Sequence, residues 1–145
     1  MTTFSRFLVS LGGGDEIGAS SYLLQIDGKR ILIDAGLRLK GNRHLPDYEY
    51  ISQVGMVGLY QCDAVLLTHA HMDHSGSLPA VYHKTRGAQR ETPLFATAPT
   101  KAIARILLKD TLKIKSRQGD FIGDVDFQEF ERAVTEESLE AIQTV

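Results

Sequence analysis

The sequence predicts an α/β or α+β fold with a mixed β-sheet. Three observations carry that prediction. Asp27-Gly28-Lys29 joins two β-rich runs, Tyr22–Ile26 and Arg30–Asp34, and Asp-Gly at such a junction favours a hairpin because glycine takes a positive φ without steric cost. Ala64-Val65-Leu66-Leu67 is a continuous apolar run without alternation, the pattern of a strand buried on both faces. Beyond it, strand-like and helix-like runs alternate, which is the order of βα units on a sheet.

Taken in order, Phe7–Leu11 reads as a short strand that Gly12-Gly13-Gly14 breaks. The hairpin follows and ends at Asp34-Ala35-Gly36. Residues 37–60 hold Gly41, Asn42, Pro46, Gly55 and Gly58, so they read as a long loop with one short helix near Tyr48–Val54. After the apolar run ends at Thr68, a polar turn begins at His69. Leu78–Lys84 reads as a helix with Ser75 or Ser77 as its N-cap. Pro93–Ala96 is a short strand. Pro99–Lys113 is the clearest helix: proline suits a first turn, and Ile103, Ile106, Leu107 and Leu108 form an apolar stripe. Thr135 is placed to cap a last helix, Glu136–Ile142, with two acids in its first turn.

Composition narrows the function classes. The chain has 145 residues, 43% of them hydrophobic and 23% charged, which is enough for one domain with a real core and argues against disorder. A net charge of −2 excludes a generally basic nucleic-acid coat, though not a local basic groove. Cys62 is the single cysteine, so neither a disulfide framework nor a cysteine-rich zinc module is available. A reducing, cytoplasmic setting is expected. No apolar run approaches the roughly 18 residues that cross a bilayer, so no membrane partner is expected.

The chemistry concentrates in His69-Ala70-His71-Met72-Asp73-His74. Three of the five histidines fall in these six residues. Neutral imidazole suits Zn²⁺, and a carboxylate supplies charge. The preceding strand delivers the turn from a fixed end. His69 and His71 can converge on one ion, and Asp73 and His74 can reach a second. Four ligands in one short turn suit a two-metal catalytic site better than a closed structural one. Asp34, at its strand end, can accept the far N–H of a metal-bound imidazole and fix its tautomer. Glu16 sits in a glycine-rich turn that lacks the G-x-G-x-x-G pattern, because position 17 is isoleucine, and is read as structural. His44 and His83 are isolated and read as surface or packing residues. Cys62 is read as packing.

His-x-His-x-Asp-His after a buried strand, with Asp-Ala-Gly upstream, resembles the metallo-β-lactamase superfamily. Gly13–Ser21 (Gly-Gly-Asp-Glu-Ile-Gly-Ala-Ser-Ser), Leu45-Pro46-Asp47, Thr68–Gly76, Leu78-Pro79, Ala96–Lys101 and Leu107–Asp110 resemble its β-CASP branch of nucleases. Within that branch they look more like the cleavage-factor endonucleases and their prokaryotic relatives than like ribonuclease J.

The resemblance implies an αββα sandwich with a dinuclear, usually zinc, site between two sheets, and cleavage of RNA, or in some members DNA, by a metal-activated hydroxide. Carried over by position, His69 and His71 match ligands of the first metal, and Asp73 and His74 match ligands of the second. Asp73 is also the candidate to orient or deprotonate the attacking water. Asp34 matches the upstream motif aspartate. The ligands that the family draws from later sequence have no counterpart here, nor does the inserted β-CASP domain. Residues 1–145 are therefore expected to be the N-terminal half of a metallo-β-lactamase domain, with about 115–145 leading toward the insert. Zinc binding by this stretch alone is expected to be partial or weak. A complementary second half, or another copy of the chain, is the expected partner besides RNA. A non-catalytic binding half and another hydrolase of the same fold, such as a thioesterase or lactonase, are the alternatives.

Overall fold

The computed structural model describes residues 6–38, 40, 43–86, 91–118 and 125–145. The expected hairpin seeds its sheet. Strands β1 (Phe7–Gly12), β2 (Ser21–Ile26) and β3 (Lys29–Ile33) pair antiparallel. Asp27 and Gly28 turn the second pair at φ 49° and 78°, the left-handed region that Asp-Gly supplies at least cost. Strands β4 (Ala64–Leu66), β5 (Leu94–Ala96) and β6 (Ile142–Thr144) then add in parallel, and the spatial order follows the chain, β1-β2-β3-β4-β5-β6. Parallel neighbours need crossovers. Helices α1 (Met72–Ser75) and α2 (Leu78–Lys84) lie in the crossover from β4 to β5. Helices α3 (Ala98–Gln118), α4 (Val125–Ala133) and α5 (Glu136–Glu140) carry the next. The short helix expected near Tyr48–Val54 forms over those residues as a 3₁₀-helix.

Side-chain alternation sends one line of residues into the core. Leu23, Leu32, Val65, Leu94 and Ile142 stand in register across five strands, none more than 3% exposed. Leu78, Val81 and Tyr82 of α2 pack in the same cluster. Each such buried aliphatic side chain contributes about 1.5–3 kcal/mol by leaving water. The opposite face differs from the expectation for Ala64–Leu67. Val65 and Leu67 are buried, but Leu66 is 37% exposed, and Leu8 and Ile26 on the same side are exposed as well. The apolar run is thus buried on one face, and the other stays open to solvent along the hairpin and β4.

Three further expectations are corrected. On α3 the buried line is Ala104 and Leu108, one turn apart, while Ile103 and Ile106 are exposed. The face is chosen by a small second cluster of Leu37, Leu108, Phe130 and Leu139. The last helix ends at Glu140 rather than Ile142, because Ile142 is drawn into the sheet beside Leu94. Its start is as expected: the Thr135 side chain accepts from the Ser138 N–H, and the Ser138 side chain accepts from the Thr135 N–H. Ser77 precedes α2, but its hydroxyl lies 2.6 Å from the Tyr48 hydroxyl instead of capping the helix. Burial pushes the Tyr48 phenol well above its ordinary pKa.

Candidate metal centre

The histidine-rich turn leaves the end of β4 and enters α1, a single helical turn. That turn is held by backbone, not by its own few bonds. The Leu37 N–H donates to the Met72 carbonyl (2.9 Å), the Ser20 N–H to the Asp73 carbonyl (2.9 Å), and the Ala35 N–H to the His74 carbonyl (2.8 Å). The Ser75 hydroxyl closes the loop from within, donating to the Ala70 carbonyl at 2.8 Å. Gly36 makes the close approach possible. A Cβ there would lie 1.8 Å from the Asp73 carbonyl oxygen and 2.5 Å from the Ser20 nitrogen, so only glycine fits.

The cradle brings His69, His71 and Asp73 together. Each offers a ligand atom, and these lie within 4.8 Å of one another. The His69 and His71 rings meet edge-on with centroids 5.0 Å apart. His74 adjoins this group: its Nε2 is 3.6 Å from Asp73 Oδ2, and its ring centroid is 3.9 Å from that of His69. All four residues singled out in the sequence therefore share one rim. His71 is exposed and the other three are half-buried, so the cluster faces solvent and can be reached.

Asp34 lies behind the rim with its side chain only 5% exposed. It also falls within 4.8 Å of ligand atoms of His69 and His74, but its oxygens are already engaged. Oδ1 accepts the Thr68 N–H at 2.8 Å; Oδ2 accepts the Thr68 hydroxyl at 2.8 Å and lies 2.8 Å from His74 Nδ1. A carboxylate only accepts, so Nδ1 of His74 carries a proton, and in the neutral imidazole Nε2 is left bare. Asp34 thus orients the cluster from below rather than joining it. Its backbone is left-handed, φ 63°, a conformation that Asp tolerates better than most residues. Both of its peptide groups are tied down: its N–H donates to the Leu66 carbonyl (2.8 Å), and its carbonyl accepts from the Ser21 hydroxyl (2.8 Å).

The remaining candidates fall elsewhere. The Glu16 carboxylate receives the Arg38 guanidinium, with Nε 2.7 Å from Oε2, and that partner holds the carboxyl below its ordinary pKa. The pair ties the glycine-rich loop to the segment after Gly36. His44 is buried, its ring against the Arg38 carbonyl, and His83 Nε2 is 3.2 Å from the Ala133 carbonyl. Cys62 is fully buried in the core. Sequence reasoning gave no role to Thr68, Ser20 or Gly36. Thr68 carried a faint signal, a hydroxyl placed directly before His69. Ser20 and Gly36 act through backbone, which residue type alone does not reveal.

The metallo-β-lactamase superfamily profile matches residues 14–142. The chain belongs to that superfamily. Among curated relatives, endoribonuclease YSH1 of Saccharomyces cerevisiae is 36% identical over 148 aligned residues, covering 99% of this chain and 18% of that protein. Integrator complex subunit 11 of Danio rerio is 40% identical over 106 residues, covering 72% and 17%. Transcription termination factor FttA of Methanothermobacter thermautotrophicus is 36% identical over 113 residues, covering 78% and 17%. These matches agree with the β-CASP resemblance of the motifs. The chain spans less than a fifth of the length of these relatives. Among solved structures, the subclass B3 metallo-β-lactamase BJP-1 of Bradyrhizobium japonicum aligns with a TM-score of 0.49 at 20% identity, covering 70% of this chain and 34% of that one. Human tRNase Z, short form, aligns with a TM-score of 0.45 at 17% identity, covering 72% and 40%.

Proposed function

We propose that this chain carries the metal-binding portion of a β-CASP-type hydrolase that cleaves RNA phosphodiesters. The observation that supports this most is the convergence of His69, His71 and Asp73 on one rim, with His74 beside them and a buried carboxylate fixing its ring. The donor set fits zinc, since neutral imidazole nitrogens and a carboxylate oxygen are the ligands it takes. His69 and His71 would hold one ion, and Asp73 with the bare Nε2 of His74 a second. Such ions supply charge neutralisation at a phosphoryl group and lower the pKa of water.

The protein's own contributions follow from the geometry. Asp34 keeps the proton of His74 on Nδ1, so the nitrogen that faces Asp73 remains a lone-pair donor. Asp73 offers a carboxylate at the solvent edge of the cluster, where it can accept a hydrogen bond from an attacking water and take its proton. The backbone cradle fixes where that carboxylate stands. Residues 1–145 supply the N-terminal part of the domain, and further polypeptide, in the same chain or a partner, supplies the remaining ligands and the groove for RNA. The similarity to a protein named as an endoribonuclease supports RNA over other substrates.

A substrate panel tests this. The product of the full reading frame is incubated with RNA, single-stranded DNA and a thioester, each with and without a chelator. RNA cleavage that the chelator abolishes and added zinc restores is the expected result. Thioester hydrolysis without RNA cleavage would assign a different reaction to the fold, and chelator-resistant RNA cleavage would remove the metal from it.

A further inference from the structure

The turn contains one polar group that the proposed function does not use. The Thr68 hydroxyl oxygen stands between Asp34 Oδ2, at 2.8 Å, and His69 Nδ1, at 3.0 Å. A hydroxyl has one proton to give. Asp34 Oδ2, a carboxylate oxygen, can only accept, so the proton points to it. The hydroxyl oxygen must then accept from His69, which places a proton on Nδ1 and, in the neutral imidazole, leaves Nε2 bare. The direction of the chain is set by donor counting alone: His69 Nδ1–H to Thr68 Oγ1–H to Asp34 Oδ2. His74 reaches the same oxygen directly through its own Nδ1 at 2.8 Å.

We propose that Thr68 is a positioning residue that extends the hold of Asp34 to His69, so that one buried carboxylate sets the ring orientation and the bare nitrogen of two imidazoles. Its value for metal binding rests on the metal-binding function proposed above; its effect on the proton does not. The arrangement couples the two halves of the cluster, because His69 and His74 belong to different candidate ions. Thr68 is itself exposed, so its hydroxyl can be removed without opening the core. Its N–H, which also binds Asp34, stays in place when the side chain changes.

The test compares wild type, Thr68→Val and Thr68→Ser in the full-reading-frame protein. Long-range ¹H–¹⁵N correlation spectra of the metal-free protein, at a pH where the imidazoles are neutral, report which ring nitrogen carries each proton. Titration with Co²⁺ and Zn²⁺ reports affinity. In wild type, His69 and His74 should both be protonated on Nδ1. Thr68→Val should lose that preference at His69 alone and weaken metal binding about 10-fold, the low end of what removing a hydrogen-bond partner of a metal ligand costs. Thr68→Ser should restore both readouts, which a merely structural role for the side chain would not require. Wild-type His69 protonated on Nε2, or a valine variant with unchanged tautomer and affinity, would overturn the proposal. If wild type binds neither ion, the metal-binding function fails, and the spectra still decide the hydrogen-bond chain.

Discussion

RNA cleavage by the full-reading-frame protein should fall by at least about 10²-fold in Asp73→Asn and in His71→Ala, on the scale of losing one group that stabilises transition-state charge. The two substitutions test different chemistry. Asp73→Asn keeps the size of the side chain but removes its charge and its capacity to take a proton. His71→Ala removes one imidazole from the exposed end of the cluster. Neither side chain belongs to the core or to the backbone cradle of α1, so melting temperatures should stay close to wild type. Single-turnover cleavage and thermal unfolding, measured on the same preparations, separate a chemical loss from a folding one. Normal cleavage in both variants would remove these residues from the site.

Gly36→Ala should destabilise the fold by about 3 kcal/mol, near the upper end for forcing an extra methyl group into packed surroundings. A shift of about 10 °C in melting temperature follows for a domain of this size. The reason is positional. The added Cβ would meet the Asp73 carbonyl oxygen at 1.8 Å and the Ser20 nitrogen at 2.5 Å, both backbone atoms that cannot swing aside. Relief requires α1 to move off its three backbone donors, and Asp73 and His74 move with it. Gly55→Ala is the comparison. Gly55 has a positive φ, 77°, which Gly36 does not, and nothing lies within 4 Å of a Cβ there, so it should lose only the cost of a left-handed alanine, about 1–2 kcal/mol. Equal losses in the two variants would show that the close approach to Asp73 costs no more than a left-handed alanine, and would contradict this account of Gly36.

Much of this was legible in the sequence because local signals and tertiary demands agreed. Asp27-Gly28 marked the hairpin, and both turn residues take the left-handed conformation. Thr135 marked the last helix start, and the reciprocal cap is present. The compact His/Asp turn marked a candidate site, and its four side chains share one rim. What escaped notice depends on long-range packing. Ile103 and Ile106 looked like core on helical spacing, but Leu37, Phe130 and Leu139 gather around Leu108 instead. The first residue of strand β6, Ile142, was read as the end of a helix, whereas it answers to Leu94 across the sheet. Leu66 looked doubly buried because a run of apolar residues does not say how many faces are covered. The cradle around α1 is made of peptide groups, and every residue has those.

The turn's chemistry stands or falls on metal content. Elemental analysis of the full-reading-frame protein, purified without chelators alongside His71→Ala, addresses it directly. The expected result is a transition metal at one equivalent or more per chain in wild type and clearly less in the variant. A wild-type protein that is folded yet carries no transition metal, and takes up none when Zn²⁺ or Co²⁺ is supplied, would contradict it.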